Sequence, residues 1–313
     1  MTENSQIPVF VRKADMTVAD LASGGALVAD QLRRYILVAI KGQYLFQKVR
    51  VTTMQRESQE ISKMTSFGSQ VWYPGTESQA PSLGQRVAPG FDKVTLTSKE
   101  ILCQVDFPKY TLQAQVEGPQ FKNTMIAYLG SHTNRDFENL IINGDTTSTN
   151  TLLAMADGII ASTTTYSYAG GGAALSTAVL KATRLTLPSE FRAQPGLAYF
   201  TNDVAWSAYD DEIGARQTVK GDDHQLNTPR LTYKGKEVHE VPMFPNGLGV
   251  GTNRTACMHM DPKNWIFAFH NKMQMSSEYA MRERVWTVFL EARFAQDYEH
   301  EPMAVIASNI VGV

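Results

Sequence analysis

The chain has 313 residues, 43% of them apolar, with a net charge of −2 and a pI near 6.3. That content suffices for one large core or two ordinary ones, and the near-neutral charge excludes a protein whose main work is gripping nucleic acid by bulk electrostatics. Two cysteines, Cys103 and Cys257, imply no disulfide framework, and the lack of a long apolar run or a signal-peptide layout in MTENSQIPVF predicts a protein that stays where it is made, with no membrane partner.

Residues 1 to about 25 mix polar and isolated apolar positions and end in Ser23-Gly24-Gly25, the pattern of an extended arm with little core of its own. ALVADQLRRYILVAI, Ala26 to Ile40, has the spacing of a short helix. Arg33, Arg34, Lys41, Lys48 and Arg50 make this neighbourhood basic, either as a solvated helix face or as a contact for a polyanion. From Arg50 the periodicity turns to short β-type runs, VRVTTM, SQVWYP and DKVTLTSKEILCQVDFP, separated by Gly, Pro and Ser. Val94, Leu96 and Ser98 alternate there with Thr95, Thr97 and Lys99. A lone two-stranded excursion of this kind cannot bury both of its faces against itself and needs a neighbour.

Tyr110 to Val116 reads as a short helix or turn leading into one long helix, Glu117 to Asp145. Pro119 suits its first position and Gly144 its left-handed exit. Phe121, Met125, Tyr128, Leu129, Phe137, Leu140 and Ile141 form an apolar stripe that drifts and is interrupted by Gly130 and Asp136. At 1.5 Å per residue this helix would span roughly 35 to 40 Å, the length of a spine through a domain.

A small-residue stretch follows, with Gly170-Gly171-Gly172 as a connector. Leu175, Val179, Leu180, Thr183 and Leu187 mark a second helix, Leu197 to Thr201 a buried strand, and Asp203 to Ile213 a third helix. TPRLTYKGKEVHEVPMFP predicts a hairpin around Lys234-Gly235-Lys236. ACMHM and NWIFAFHN are strands, and in the next one Val285, Thr287, Phe289, Glu291 and Arg293 alternate with Trp286, Val288, Leu290, Ala292 and Phe294. Met303 to Ala307 closes the chain. Helices and strands do not alternate regularly, so the fold class is α+β.

Catalytic motifs are thin. Gly247, Gly249 and Gly251 in GLGVG are not followed by a helix, as a phosphate-binding turn requires. Asp222, Asp223 and His224 sit in a polar loop with no second ligand cluster. His259, between Met258 and Met260, has the setting of a core or edge histidine, and His300, between Glu299 and Glu301, that of a solvated turn. No GxSxG or HExxH occurs, and without a secretory signal the acceptor pattern Asn253-Arg254-Thr255 carries no meaning. No catalysed reaction, cofactor or metal is expected. What stands out is the apolar Val71, Trp72 and Tyr73 in the middle of the projecting loop, the feature self-assembling subunits use to gain their missing neighbour from another copy.

The order of these segments resembles the major capsid proteins of tailed bacteriophages, with the fold named after phage Hong Kong 97. The resemblance rests on the loop reading VWYPGTESQAP, its return KVTLTSKEILCQVDFP, and the spine end LIINGD followed by ADGI. TLPSEFRAQPGLAYFTND, YKGKEVHEVPMFP and the C-terminal strands extend it from about Leu32 onward. It implies an N-terminal arm with a short helix over 1–49, an extended loop over 50–96, a peripheral domain over 97–150 and 271–313, and an axial domain over 151–270. It further implies hexamers and pentamers closing into an icosahedral shell around double-stranded DNA, Val71, Trp72 and Tyr73 as inter-subunit contacts, and the five basic residues above as candidates for the DNA-facing side. Portal and decoration proteins are implied partners.

Some members carry a removable scaffolding segment before the loop. With about fifty residues there, this chain is expected to use a separate scaffolding protein. Others cross-link a loop lysine to a neighbour's asparagine; Lys63 lies in the loop, but no partner or acidic helper is identified for it. The rival of the same fold is a nanocompartment of the encapsulin kind enclosing cargo protein. The rival of another class is a small soluble enzyme or binding protein using the Asp222–His224 loop.

Overall fold

A computed structural model describes residues 44–65, 72, 74, 90–108, 121–215, 230–248 and 253–311. By its internal contacts the chain forms two units, and the long elements run through both. One holds the C-terminal part of β4 (Lys99–Pro108), the first half of α2 (Phe121–Asn143), and the facing ends of β10 (Trp265–Ala280) and β11 (Val285–Tyr298). The other holds the remaining described elements. The predicted arm, its helix to Ile40 and the Tyr110–Val116 segment fall outside the described residues.

The larger unit contains a six-stranded sheet, ordered β5-β12-β9-β6-β8-β7. Its strands are β5 (Ser167–Ala169), β6 (Ala198–Thr201), β7 (Thr232–Tyr233), β8 (Lys236–Glu240), β9 (Arg254–Met260) and β12 (Val305–Val311). β6 and β9 are buried along nearly their whole length, as central strands are. The predicted hairpin is β7–β8, and Lys234 and Gly235 both take positive φ, 47° and 78°, as a two-residue turn matching strand twist requires. β12 pairs antiparallel with β9 and parallel with β5. The sequence grouped residues 305–311 with the other C-terminal strands; their pairing puts them in this sheet instead.

Two helices pack on the sheet as their spacing predicts. In α4 (Thr177–Thr186) Val179, Leu180 and Thr183 are buried, with Leu175 and Leu187 just outside its ends. In α5 (Asp203–Gly214) Ala205 and Tyr209 are buried, and the Asn202 side chain caps its start by accepting from Ala205 N at 2.9 Å. Glu212 of α5 accepts from Thr177 N at 2.7 Å and Thr177 Oγ1 at 2.6 Å, which ties the entry of α4 to α5.

The end of α2 is the tightest junction. Gly144 N donates to Leu140 O at 3.0 Å and Gly158 N donates to Gly144 O at 2.8 Å, so two backbones run in direct contact between α2 and the short α3 (Ile159–Ser162). A Cβ on Gly144 would fall 2.2 Å from Ala156 O, and one on Gly158 2.6 Å from Ile141 O. Gln296 of β11 closes the junction by donating to Leu140 O at 3.1 Å and Asp157 O at 2.9 Å. This explains physically why LIINGD and ADGI occur as a pair: only glycine fits where the two segments touch. Phe137 of α2 then packs with Phe267 and Phe269 of β10 and with Phe46 of α1 (Tyr44–Lys48), at centroid distances of 5.6, 5.7 and 6.1 Å.

The buried face of α2 differs from the stripe the sequence predicts. Phe137, Leu140 and Ile141 are buried as expected, but so are Gly130, Asn134 and Glu138, which lie on the same face at helical spacing. Gly130 therefore belongs to the packed face and does not interrupt it, while Asp136 is exposed. Among the described residues the Asn134 amide is buried without a hydrogen-bond partner, and the Glu138 carboxylate is buried with only the Leu45 backbone N–H directed at it. Burial pushes the Glu138 carboxyl up to about 7, with the Leu45 backbone N–H pulling the other way.

The second sheet is four-stranded, ordered β1-β10-β11-β4, with β1 (Arg50–Met54) parallel to β10 from Arg50↔Ile266 to Met54↔His270. In β11 the alternation holds, with Val288, Leu290, Ala292 and Phe294 buried and Glu291 and Arg293 exposed. In the smaller unit Met273, Met275, Val288 and Leu290 are buried and the Tyr279 and Trp286 rings pair at 5.3 Å. The turn at Met281–Arg284 is exposed, with Arg284 at φ 57°.

Gly158→Ala would force backbone atoms apart at a junction with no flexible side chain to yield; we expect insoluble protein or a melting temperature at least several degrees lower by circular dichroism. Glu138 sets a pH dependence: the folded state keeps its proton up to about pH 7, whereas the unfolded chain releases it near 4.3. Stability therefore falls as pH rises between these values and is level above. Glu138→Gln should remove that slope in urea titrations at pH 5 and 8, leaving the variant more stable at pH 8 by up to about 3 kcal/mol.

Candidate assembly surfaces

β2 (Ser58–Thr65) and β3 (Gly90–Thr97) form an antiparallel ribbon in unbroken register from Ser58↔Thr97 to Thr65↔Gly90. Side chains alternate between its faces. On the inner face Leu96 is 2% exposed and Ile61 and Val94 are half-buried, packed on Met54, Ile266, Ala268 and Ala295. Further out on the same face Lys63 lies opposite Asp92, with Nζ 3.1 Å from Asp92 Oδ2 and donating to Glu299 O at 3.2 Å. The Lys63 ammonium and the Lys93 N–H hold the Asp92 carboxyl below its usual range. The inner face is thus anchored to the body of its own subunit.

The outer face has no such cover. Met64 and Phe91 stand directly opposite each other and are 63% and 72% exposed; Lys93 and Glu60 form an ion pair at 2.7 Å beside them. Beyond the strands, Trp72 is 87% exposed. Val71 and Tyr73, predicted with it as contacts, lie outside the described residues. Met64 and Phe91 were missed in the sequence because β2 itself, SQEISKMT, carries too few apolar residues to read as a strand. Lys63, raised as a cross-link residue, has its ammonium engaged by Asp92 and Glu299.

Of the predicted basic set, Arg33, Arg34 and Lys41 lie outside the described residues. Lys48 turns to its own subunit: its ammonium bonds the Tyr44 hydroxyl, lies over the Tyr44 ring and is 3.2 Å from His239 Nε2, which is itself 3.1 Å from Glu237 Oε2. Burial lowers the affinity of both Lys48 and His239 for their protons. Arg50 pairs with Glu299 at 2.7 Å. Neither is presented as an uncommitted cation, because α1 and β1 are both stitched into the larger unit.

The remaining candidates resolve simply. His259 is buried, stacked on Tyr199 at 4.0 Å with Nδ1 3.3 Å from Ala198 O, and burial pushes its pKa down to about 4, so it stays neutral. His300 is half-buried, and its backbone brackets Asn264, N–H to Oδ1 and C=O from Nδ2, both at 2.9 Å. Gly247 makes an isolated bridge with Arg254, while Gly249, Gly251 and the Asp222–His224 loop lie outside the described residues. Among the described residues no cluster of three metal-ligating side chains occurs, and no helix is long and apolar enough to cross a membrane.

A six-stranded sheet carrying two helices, a four-stranded sheet with a spine helix, and a half-covered β-ribbon make up the Hong Kong 97-type capsid fold. No family model matches the chain. It is 26% identical over 303 residues to YqbE of Bacillus subtilis (strain 168), a protein named as a prophage capsid protein, across 93% of this chain and 94% of that one. Among solved structures, the capsid of the native GTA particle superposes with a TM-score of 0.63 at 14% identity, over 88% of this chain and 90% of that one. The SrpI encapsulin of Synechococcus elongatus PCC 7942 gives 0.60 at 10% identity, over 88% and 89%. The fold shared with these shell proteins runs along nearly the whole chain.

The two ribbon faces predict opposite responses to truncation. Leu96→Ala should destabilise the folded subunit by about 2–5 kcal/mol in urea unfolding. Met64→Ser combined with Phe91→Ser should leave the unfolding free energy within about 0.5 kcal/mol of the parent.

Proposed function

We propose that the chain is the major capsid protein of a tailed phage, forming hexamers and pentamers that close into an icosahedral shell around double-stranded DNA. The observation that carries this is the ribbon whose outer face leaves the apolar pair Met64 and Phe91 exposed, in a chain that matches a prophage capsid protein over 93% of its length. The mechanism is multivalent burial: each contact is weak alone, but a closed shell makes many at once. The role is structural, with no reaction catalysed and no cofactor.

In this reading residues 1–49 act as the arm, the ribbon within 50–96 as the extended loop, and 97–150 with 271–304 as the peripheral domain. Residues 151–270, joined by β12, serve as the axial domain. A separate scaffolding protein directs assembly in the bacterial host cytoplasm, and portal and decoration proteins complete the virion. DNA is held without sequence preference by local Lys and Arg on the inner surface, for which Arg33, Arg34 and Lys41 remain the candidates. The encapsulin reading is supported by the likeness to the SrpI shell; nuclease-protected DNA in purified particles favours the phage shell, and packaged protein without DNA the nanocompartment.

Trp72→Ser with Tyr73→Ser should leave soluble, folded subunits that fail to form shells on a sizing column and in electron micrographs. Normal shells from this variant would remove the loop from the assembly mechanism, and a small species from the parent chain under all conditions would remove the shell itself.

A further inference from the structure

The chain has three places where Asn or Asp precedes Gly: Asn143-Gly144, Asp157-Gly158 and Asn246-Gly247. In such a pair the glycine amide can attack the side-chain carbonyl beside it, because no Cβ stands in the way, and both groups are held in one chain. In sequence the two Asn-Gly pairs are alike. The fold separates them.

Asn143 ends α2, where Gly144 N already donates to Leu140 O at 3.0 Å. The Asn143 amide donates to Asn139 Oδ1 at 2.7 Å and to Met243 O at 2.9 Å, so nucleophile and electrophile are both tied down. Gly158 N is likewise committed, to Gly144 O at 2.8 Å. Asn246 and Gly247, between β8 and β9, are both exposed. Gly247 bridges Arg254 through the next residue, with Leu248 N donating to Arg254 O at 2.8 Å; among the described residues Gly247 N itself has no acceptor.

A buried neighbour sets the electrophile. Asn202, 3% exposed, caps α5 with its Oδ1, which accepts from Ala205 N. That bond fixes which end of the Asn202 amide faces outward, and Nδ2 donates to Asn246 Oδ1. Asn246 therefore turns its oxygen to Asn202, and its own NH2 group has no acceptor among the described residues. A donor on the carbonyl oxygen stabilises the oxyanion that forms on attack.

We propose that Asn246 is a site of spontaneous deamidation in the folded protein, with Asn202 polarising its side-chain carbonyl. Gly247 N loses its proton to water and bonds to Asn246 Cγ, while charge collects on Oδ1 beside Asn202 Nδ2. The Cγ–Nδ2 bond then breaks, the nitrogen takes a proton from water and leaves as ammonia, and a cyclic succinimide remains. Water opens this ring at either carbonyl to give aspartate or isoaspartate. One water is consumed, one ammonia is released, and nothing is oxidised or reduced. Aspartate adds a negative charge and keeps an acceptor for Asn202. Isoaspartate inserts an extra carbon into the main chain and draws Leu248 away from Arg254. The modified fraction therefore rises with the age of the folded chain.

The test incubates the full chain, folded and in urea, at mildly alkaline pH and follows both Asn-Gly peptides by mass spectrometry for a rise of one mass unit. In the folded protein the Asn246 peptide is expected to convert at least as fast as in urea, splitting into separable aspartate and isoaspartate forms, while Asn143 converts only in urea. An Asn246 peptide that stays intact in the folded protein, or converts no faster there than Asn143, overturns the site. Gly247→Ala places a Cβ where nothing lies within 4 Å, so the fold is kept and conversion should slow; an unchanged rate contradicts attack by this amide. Asn202→Asp keeps the cap acceptor and removes the donor. It is expected to slow conversion about tenfold, less than the roughly hundredfold that a lost donor costs in an enclosed site, because water reaches this one. An unchanged rate in Asn202→Asp, with circular dichroism like the parent's, overturns the role of Asn202.

Discussion

A two-stranded ribbon has two faces, and a subunit body can cover only one. Here Leu96, Val94 and Ile61 press one face onto Met54, Ile266 and Ala268, while Met64 and Phe91 on the other remain in solvent. An isolated hairpin is marginal in water, so the buried face must hold the ribbon in place by itself. The Lys63–Asp92 pair and the Lys63 bond to Glu299 fix the end of the covered region. A surface ion pair of this kind contributes only about 0–1 kcal/mol; its value is positional, since it holds the bare face at a set angle to the body. The bare face is then a standing free-energy gain available to any copy that covers it.

That use of the ribbon requires a body that does not yield, and the junction at the end of α2 supplies one. Gly144 and Gly158 let two backbones touch, Gln296 bonds the helix end from β11, and Asn143 donates to Met243 O at 2.9 Å. The four-stranded sheet, the spine helix and the loop before α3 are thereby joined at one point. Phe46, Phe137, Phe267 and Phe269 fill the space beside it. Within this core the buried polar side chains of Asn134 and Glu138 cost stability, and the Glu138 carboxylate meets the Leu45 backbone N–H in the first turn of α1.

Much of this was legible because local rules and tertiary packing agree. The helices at 177–186 and 203–214, the turn at Lys234-Gly235 and the alternation of β11 all follow from spacing and turn chemistry. On α2 the buried Phe137, Leu140 and Ile141 were legible, whereas Gly130, Asn134 and Glu138 are buried despite being small or polar, and a hydrophobic pattern has no term for that. β2 escaped notice because each of its faces carries a single apolar residue, Ile61 on one and Met64 on the other, among polar ones. The pairing of β12 with β9 depends on contacts far apart in the chain, which no local pattern encodes. Lys48 reads as a free cation in sequence, yet Tyr44, His239 and Glu237 are brought to it only by the fold.

The central claim is that another copy covers the outer face of the ribbon. A cryo-electron microscopy reconstruction of the purified, assembled protein tests it most directly. The account predicts closed icosahedral particles in which Met64, Phe91 and Trp72 of every subunit are packed against a neighbour. Particles in which these side chains remain in solvent, or a protein that stays a small species under every condition tried, would contradict it.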